Sequence, residues 1–176
     1  MIDASRHRYA DNVAATRAAV DFGHAHGLWV EAELGTVGGK PGDPHAPDAR
    51  TEPGEAASFV AQTGVDGLAV AVGSRHAMTS RSAVLDHNLI ATLQSAVPVP
   101  LVLHGSSGVP DDELRAAVTA GMTKINISTH LNGTFTAQVR EALAADPALV
   151  DPRKYLGAAR TATAREVERL VRLLAD

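Results

Sequence analysis

The sequence contains Leu68-Ala-Val-Ala-Val-Gly-Ser-Arg-His76, an apolar run that ends in small residues and a histidine. A second run of this kind, Pro100-Leu-Val-Leu-His-Gly-Ser-Ser-Gly108, brings His104 directly after its last apolar residue. Short, continuous apolar runs are typical of strands that are buried on both faces of a parallel sheet. Because parallel strands end at the same edge of a sheet, we expect His76 and His104 to lie near each other there.

Further strands and helices alternate along the chain on either side of these runs. We predict strands over 1–5, 28–34, 67–72, 100–103 and 124–127, and helices over 11–26, 54–63, from Asp86 to the next strand, from Pro110 to Gly121, over 129–144 and at the C-terminal end. Gly35 to Pro53 is rich in Gly, Pro and Asp and is predicted to be a loop.

This order predicts an α/β fold in which helices cover a parallel sheet. About five parallel strands are predicted, whereas a closed (β/α)8 TIM barrel has eight and typically needs ~250 residues. We therefore predict a partial barrel that forms a single domain over residues 1–176.

The composition narrows the classes of partner. With 176 residues and 45% hydrophobic residues, the chain can bury a substantial core. Its net charge of −4, its 3% aromatic residues and its lack of a basic cluster argue against a nucleic acid or an anionic membrane as partner. There is no cysteine, which excludes disulfides and zinc–thiolate sites. No apolar run approaches the ~20 residues of a membrane span and the first residues do not resemble a secretory signal, so we expect a cytoplasmic protein.

His76 and His104 are candidate zinc ligands. Neutral imidazole is a standard zinc donor, and a catalytic zinc needs three protein ligands and an open position. The alternative is that each is a hydrogen-bonded histidine at the end of a strand. Their equivalent positions after neighbouring strands favour a metal site, but the sequence leaves both interpretations open.

Carboxylates on two other predicted strands could also face the interior of the barrel. Glu31 and Glu33 are two residues apart on one strand and therefore share a face. A carboxylate that faces a barrel interior needs a cation or hydrogen-bond donors, whereas one on the outer face forms a solvent-exposed ion pair. Val30, Ala32 and Leu34 alternate with them, so the sequence does not decide which face is inside. The sequence likewise does not decide whether Asp3, on the first strand, faces the interior or the solvent.

Two turns are candidates for binding phosphate. Gly105-Ser-Ser-Gly108 and Asn126-Ile-Ser-Thr129 follow the last two predicted strands and combine backbone N–H groups with hydroxyls. Taken singly, each turn is also typical of an ordinary βα connection. Their joint position matches the place where many barrels bind phosphate.

The three lysines, Lys40, Lys124 and Lys154, lie off the strands that end at the two histidines. Lys124 is predicted to open the last strand, at the end away from the expected site. A Schiff-base mechanism requires a desolvated lysine in the site, so this placement favours metal-assisted chemistry.

Taken together, the chain resembles the class II, zinc-dependent ketose-bisphosphate aldolases of the fructose-bisphosphate and tagatose-bisphosphate types. The matching stretches are 1–5, 30–39, 63–76, 101–110, 124–129 and 151–157. They follow the order of the family and cover nearly the whole chain.

The resemblance implies reversible aldol cleavage of a phosphorylated ketose to dihydroxyacetone phosphate and an aldehyde, on a barrel whose strands four to eight are present here. His76 and His104 would be two of the three zinc ligands, with Glu33 and Asp3 facing a second or alternative metal position. Asn126 would meet the enediolate. The remaining implied contacts are Gly38, Gly105 and Ser107 at a phosphate and monovalent-cation site, and Ser128 and Thr129 at the phosphate.

The chain also departs from the family pattern. The Leu-Asp-His segment that supplies the acid/base aspartate and the remaining zinc histidine has no counterpart in it. Ala77 replaces the glycine after the first zinc histidine, Lys40-Pro-Gly-Asp43 replaces an acidic stretch, and His130 stands where acidic residues are common.

We therefore expect the C-terminal portion of an aldolase that is inactive by itself. Its first and last strands would be unpaired edges, and we expect a homo-oligomer. The alternatives are a non-catalytic phosphate-binding or oligomerisation remnant of the family, and a metal-free barrel enzyme that binds phosphate.

Overall fold

A computed structural model describes residues 1–35, 37–38 and 49–175. Its four strands are β1 (Glu31–Leu34), β2 (Gly67–Val70), β3 (Leu101–Leu103) and β4 (Met122–Ile125), and its six helices are α1 (Tyr9–Ala25), α2 (Pro53–Thr63), α3 (His87–Ala96), α4 (Asp111–Ala120), α5 (Thr129–Ala145) and α6 (Pro152–Ala175). A short 3₁₀ turn, Ser106–Gly108, follows β3. The α/β fold class expected from the sequence is confirmed.

The four strands form one parallel sheet in the order β1-β2-β3-β4. Leu68 of β2 is paired with Ala32 of β1 and Leu101 of β3, and all three side chains are at most 2% exposed. Complete burial explains why β2 and β3 are continuously apolar in sequence. Because the strands are parallel, the carboxyl ends of all four lie at the same end of the sheet.

The first five residues form less regular structure than predicted. Ile2 makes an isolated parallel bridge with Ala32, and its N–H donates to the Glu31 carbonyl at 2.8 Å. This segment lies beside β1, where a fifth strand would run. β1 itself begins only at Glu31, later than predicted, and Leu28 and Trp29 before it are about half exposed.

The ends of the helices follow the predicted signals. Asp86 accepts a hydrogen bond from the Leu89 N–H at 2.9 Å and so caps α3, as expected. α4 follows Pro110 and has three acidic residues in its first turn, which suits the positive end of the helix dipole. Gly64 ends α2 in a left-handed conformation with φ of +71°. The Glu52 side chain, which accepts from two backbone N–H groups at the start of α2, was not foreseen.

The chain divides into two compact units, Met1–Asn126 and Ile127–Asp176. The first unit contains the sheet and helices α1 to α4. The second contains α5 and α6, where His130 and Arg169 both contact the Glu166 carboxylate. The single domain predicted over the whole chain stays a prediction. None of the described helices has the length and apolar character needed to cross a lipid bilayer.

Candidate metal centre

Polar side chains collect at the carboxyl end of the sheet. Glu31 and Glu33 lie on β1, His104 follows β3 directly, and Asn126 follows β4. His76 does not end a strand, because β2 stops at Val70 and the chain bends before it reaches the histidine. All of these residues belong to the first unit.

His104 lies between two buried carboxylates. Its Nδ1 is 2.7 Å from Glu33 Oε2, and its Nε2 is 2.9 Å from Glu31 Oε1. The exposed fractions are 3% for His104, 2% for Glu31 and 1% for Glu33. The Glu31/Glu33 face of β1, which the sequence left undecided, is therefore the inner face of the site.

These contacts shift the pKa values of His104 and Glu31. Burial alone would lower the pKa of His104, but the hydrogen bonds and charges of Glu33 and Glu31 outweigh burial and raise it. Burial would also raise the pKa of Glu31, but the hydrogen bonds and charges of Lys124 and His104 hold it below its usual value. A carboxylate oxygen faces each ring nitrogen of His104, and this arrangement favours the imidazolium form.

His76 completes a set of three residues that can hold a metal ion. Its ring centroid is 5.9 Å from that of His104. One ligand atom each from Glu33, His76 and His104 lie within 4.8 Å of one another. Two imidazoles and a carboxylate are a donor set that catalytic zinc accepts in enzymes, so these residues fit the metal that the sequence led us to expect. Their role as ligands stays a prediction.

The loop that contains His76 is held against the turn that follows His104. The Ser74 hydroxyl donates to the His104 carbonyl at 2.6 Å. Gly105 has φ of +67°, and a Cβ there would lie 2.6 Å from the Arg75 carbonyl carbon. Glycine is needed at this position for both reasons, because it tolerates positive φ and lets two backbones approach closely. These contacts bring His76 to the metal centre although it lies beyond its strand.

Ala77, next to His76, adopts a left-handed backbone conformation with φ of +57°. The resemblance places a glycine at this position, and glycine adopts such a φ at little cost. The local backbone therefore has a glycine-like conformation even though the residue has a Cβ.

The predicted position of Lys124 was wrong. β4 begins at Met122, so Lys124 lies inside the strand, paired with Val102. Its Nζ donates to Glu31 Oε2 and to Asn126 Oδ1, both at 2.8 Å. The sequence does indicate that Lys124 lies near Asn126, since the two residues are two positions apart along an extended segment and therefore share a face.

Asp3 is not one of the three residues of the candidate metal set. It is linked to the site through Ser5, whose Oγ lies 2.7 Å from Asp3 Oδ1 and 3.1 Å from Glu33 Oε1. The sequence gives no signal for Ser5, because a serine at the end of a short predicted strand has no distinctive pattern.

The residues expected to bind phosphate are found in both units. The Gly38 carbonyl accepts from the His76 N–H at 2.7 Å, and the Asn126 N–H donates to the Leu103 carbonyl at 3.0 Å. Gly105 directly follows His104, and the buried Ser107 lies in the 3₁₀ turn after it. Ser128 and Thr129 begin α5 in the second unit. Their roles stay predictions, and Lys40 and Asp43 lie outside the described residues.

The chain is similar to a known protein family and to solved structures along nearly its whole length. The family model for class-II fructose-bisphosphate aldolase matches residues 1–176. The YdjI aldolase from Escherichia coli K12 is similar with 34% identity and a TM-score of 0.81, over 98% of this chain and 58% of that one. A candidate fructose-1,6-biphosphate aldolase from Coccidioides immitis is similar with 26% identity and a TM-score of 0.86, over 99% and 62%.

Fructose-bisphosphate aldolase from Campylobacter jejuni, at 22% identity and a TM-score of 0.79 over 98% of this chain and 59% of that one, shares the fold. This chain thus spans 58% to 62% of the length of these three relatives. Because the family model matches from the first residue to the last, this chain belongs to the class-II fructose-bisphosphate aldolase family.

Proposed function

We propose that this chain provides metal-binding and substrate-binding residues for aldehyde-lyase chemistry, the reversible cleavage of a phosphorylated ketose to dihydroxyacetone phosphate and an aldehyde. The observation that supports the proposal is the cluster of Glu33, His76 and His104 at the carboxyl end of the sheet. Family membership supplies the class of reaction.

His76, His104 and Glu33 would hold a zinc ion. When bound, zinc supplies Lewis-acid polarisation of a carbonyl oxygen. As a ligand, His104 would need one ring nitrogen without a proton and without its carboxylate contact. Because Glu33 is itself one of the proposed ligands, Glu31 would remain as the acceptor at the other ring nitrogen and would fix the orientation of the ring, which is the usual arrangement around a metal-bound histidine.

The other residues of the proposal bind the substrate. Asn126 would donate from its amide to the enediolate oxygen of the three-carbon product. The remaining proposed contacts are Gly38, Gly105, Ser107, Ser128 and Thr129, for the phosphate and a monovalent cation.

A Schiff-base mechanism is a poorer fit to the site. Lys124 lies beside the candidate metal centre, contrary to the sequence prediction, but its amine is ion-paired with the buried Glu31 at 2.8 Å. A protonated amine has no lone pair with which to attack a carbonyl. Metal-assisted chemistry therefore remains the better proposal.

A zinc-binding experiment tests the metal site. We expect purified chain to bind zinc in calorimetry, and His76→Ala and His104→Ala to abolish binding. His26→Ala is the matched control, because His26 lies at the exposed end of α1 and contacts Phe22. We expect mild chelation to remove the ion, because two imidazoles and a carboxylate lack the family's third histidine. Equal zinc affinity of His104→Ala and wild type would contradict the proposal.

An activity experiment separates the enzyme from the non-catalytic alternative. We expect the chain alone to show no cleavage of fructose 1,6-bisphosphate or tagatose 1,6-bisphosphate. Fusion to the part of the YdjI aldolase that this chain does not cover should restore zinc-dependent cleavage, and His104→Ala in the fusion should abolish it. Zinc binding and correct folding of the fusion without cleavage of either sugar would favour the remnant. A role in glycolysis and a cytoplasmic location stay predictions.

A further inference from the structure

The ammonium group of Lys124 determines which way the Asn126 side-chain amide faces. Lys124 Nζ is 2.8 Å from Asn126 Oδ1. A lysine ammonium has only donors, so the Asn126 atom that faces it must be the acceptor oxygen. Without such a partner, an asparagine amide can present either its oxygen or its nitrogen at a given place.

The orientation leaves the other end of the amide available. Asn126 is exposed, and its Nδ2 has no acceptor among the residues that the structure describes. The Asn126 N–H donates to the Leu103 carbonyl at 3.0 Å, which places Asn126 beside His104. A donor group is thus presented next to the candidate metal centre.

Lys124 is in turn held by Glu31. Its Nζ is 2.8 Å from Glu31 Oε2, and the Glu31 side chain is 2% exposed. The other oxygen of Glu31 lies 2.9 Å from His104 Nε2. One buried carboxylate therefore orients both the candidate metal ligand and the lysine that orients Asn126.

We propose that Lys124 is a positioning residue, which turns the amide of Asn126 so that Nδ2 donates to a negatively charged oxygen of the ligand. In the proposed reaction this oxygen belongs to the enediolate. The identity of the ligand rests on the proposed function, whereas the orientation of the amide rests on the hydrogen bonds alone.

Calorimetry with a phosphorylated hydroxamate tests the proposal, because a hydroxamate mimics the two cis oxygens of a three-carbon enediolate. Measured on zinc-loaded protein, Asn126→Ala and Lys124→Met should each weaken binding about tenfold to hundredfold, the usual loss for a hydrogen bond to a charged group. The double variant should bind no more weakly than Asn126→Ala, because Lys124 acts through Asn126. Lys124→Arg should keep most of the affinity.

The ¹⁵N signal of the Asn126 side-chain amide gives a readout without any ligand. We expect Lys124→Met to shift this signal and Lys124→Arg to leave it nearly unchanged, while circular dichroism shows that both variants are folded. Should Lys124→Met not fold, Lys124→Met combined with Glu31→Gln takes its place, since this pair of changes removes the donor to Asn126 together with the buried negative charge.

The outcomes separate the two proposals. Unchanged hydroxamate affinity in Asn126→Ala would show that the proposed ligand contact is wrong. A loss of affinity in Asn126→Ala without a loss in Lys124→Met, or additive losses in the double variant, would overturn the positioning role and leave the proposed function intact. An unmoved Asn126 amide signal in the neutral lysine variant would also overturn it.

Discussion

Ala77 stands where the resemblance implies a glycine, and its backbone is in the left-handed region. Its φ of +57° costs a residue with a Cβ roughly 1 kcal/mol. We expect Ala77→Gly to raise the free energy of unfolding by up to about 1 kcal/mol, and the melting temperature by about 2–4 °C for a chain of this size. Ala91→Gly on the exposed side of α3 is the matched control and should destabilise by about 1 kcal/mol. A lower melting temperature for Ala77→Gly would show that the loop beside His76 is not strained.

At the scale of the element, α5 and α6 are joined by a charge cluster in the second unit. Glu166 accepts from Arg169 at 2.8 Å and from His130 at 2.7 Å. The hydrogen bond from Arg169 outweighs burial and, with that from His130, lowers the pKa of Glu166 from 4.5 to about 2. Because the folded pKa lies below the unfolded value, the cluster stabilises the fold above pH 4.5 and loses this contribution as the pH falls towards about 2.

Replacing Glu166 by Gln tests this cluster. Arg169 is 41% exposed, so solvent screening reduces the expected loss at pH 7 to about 1 kcal/mol in urea unfolding. The difference from wild type should shrink between pH 4.5 and pH 3. Glu168→Gln is the control, because the Glu168–Arg172 pair is mostly exposed and should contribute at most about 0.5 kcal/mol. A loss for Glu166→Gln that is equal at pH 7 and pH 3 would mean that the charge of Glu166 is not what stabilises the helices.

At the scale of the whole molecule, the sheet has incompletely paired edges. Among the described residues, β4 pairs with β3 on one side, and the segment at Ile2 makes only a single bridge to β1. Such edges expose backbone donors and acceptors that pair with other strands, so we expect concentration-dependent association in analytical ultracentrifugation. Thr123→Lys on exposed β4 should reduce association, and Thr119→Lys on exposed α4 should not. A monomer at every concentration would contradict this prediction.

Most strands and helices could be located from local sequence patterns. The apolar runs at Gly67–Val70 and Leu101–Leu103 are β2 and β3, and Asp86 and Pro110 mark the starts of α3 and α4. These features depend on residues only a few positions apart, which is the range over which hydrophobic period, helix caps and proline act. The same local period placed Glu31 and Glu33 on one face.

Contacts between distant strands determine which face of β1 lines the site and which side chains form the site. Glu33 and His104 are 71 residues apart in sequence, and Glu31 and Lys124 are 93 apart. All four residues of β1 are buried, so the local alternation of carboxylate and apolar side chains does not decide which face lines the site, and the choice depends on partners from distant strands. His104 and Lys124 supply those partners, because a buried carboxylate is stable only where cationic donors meet it.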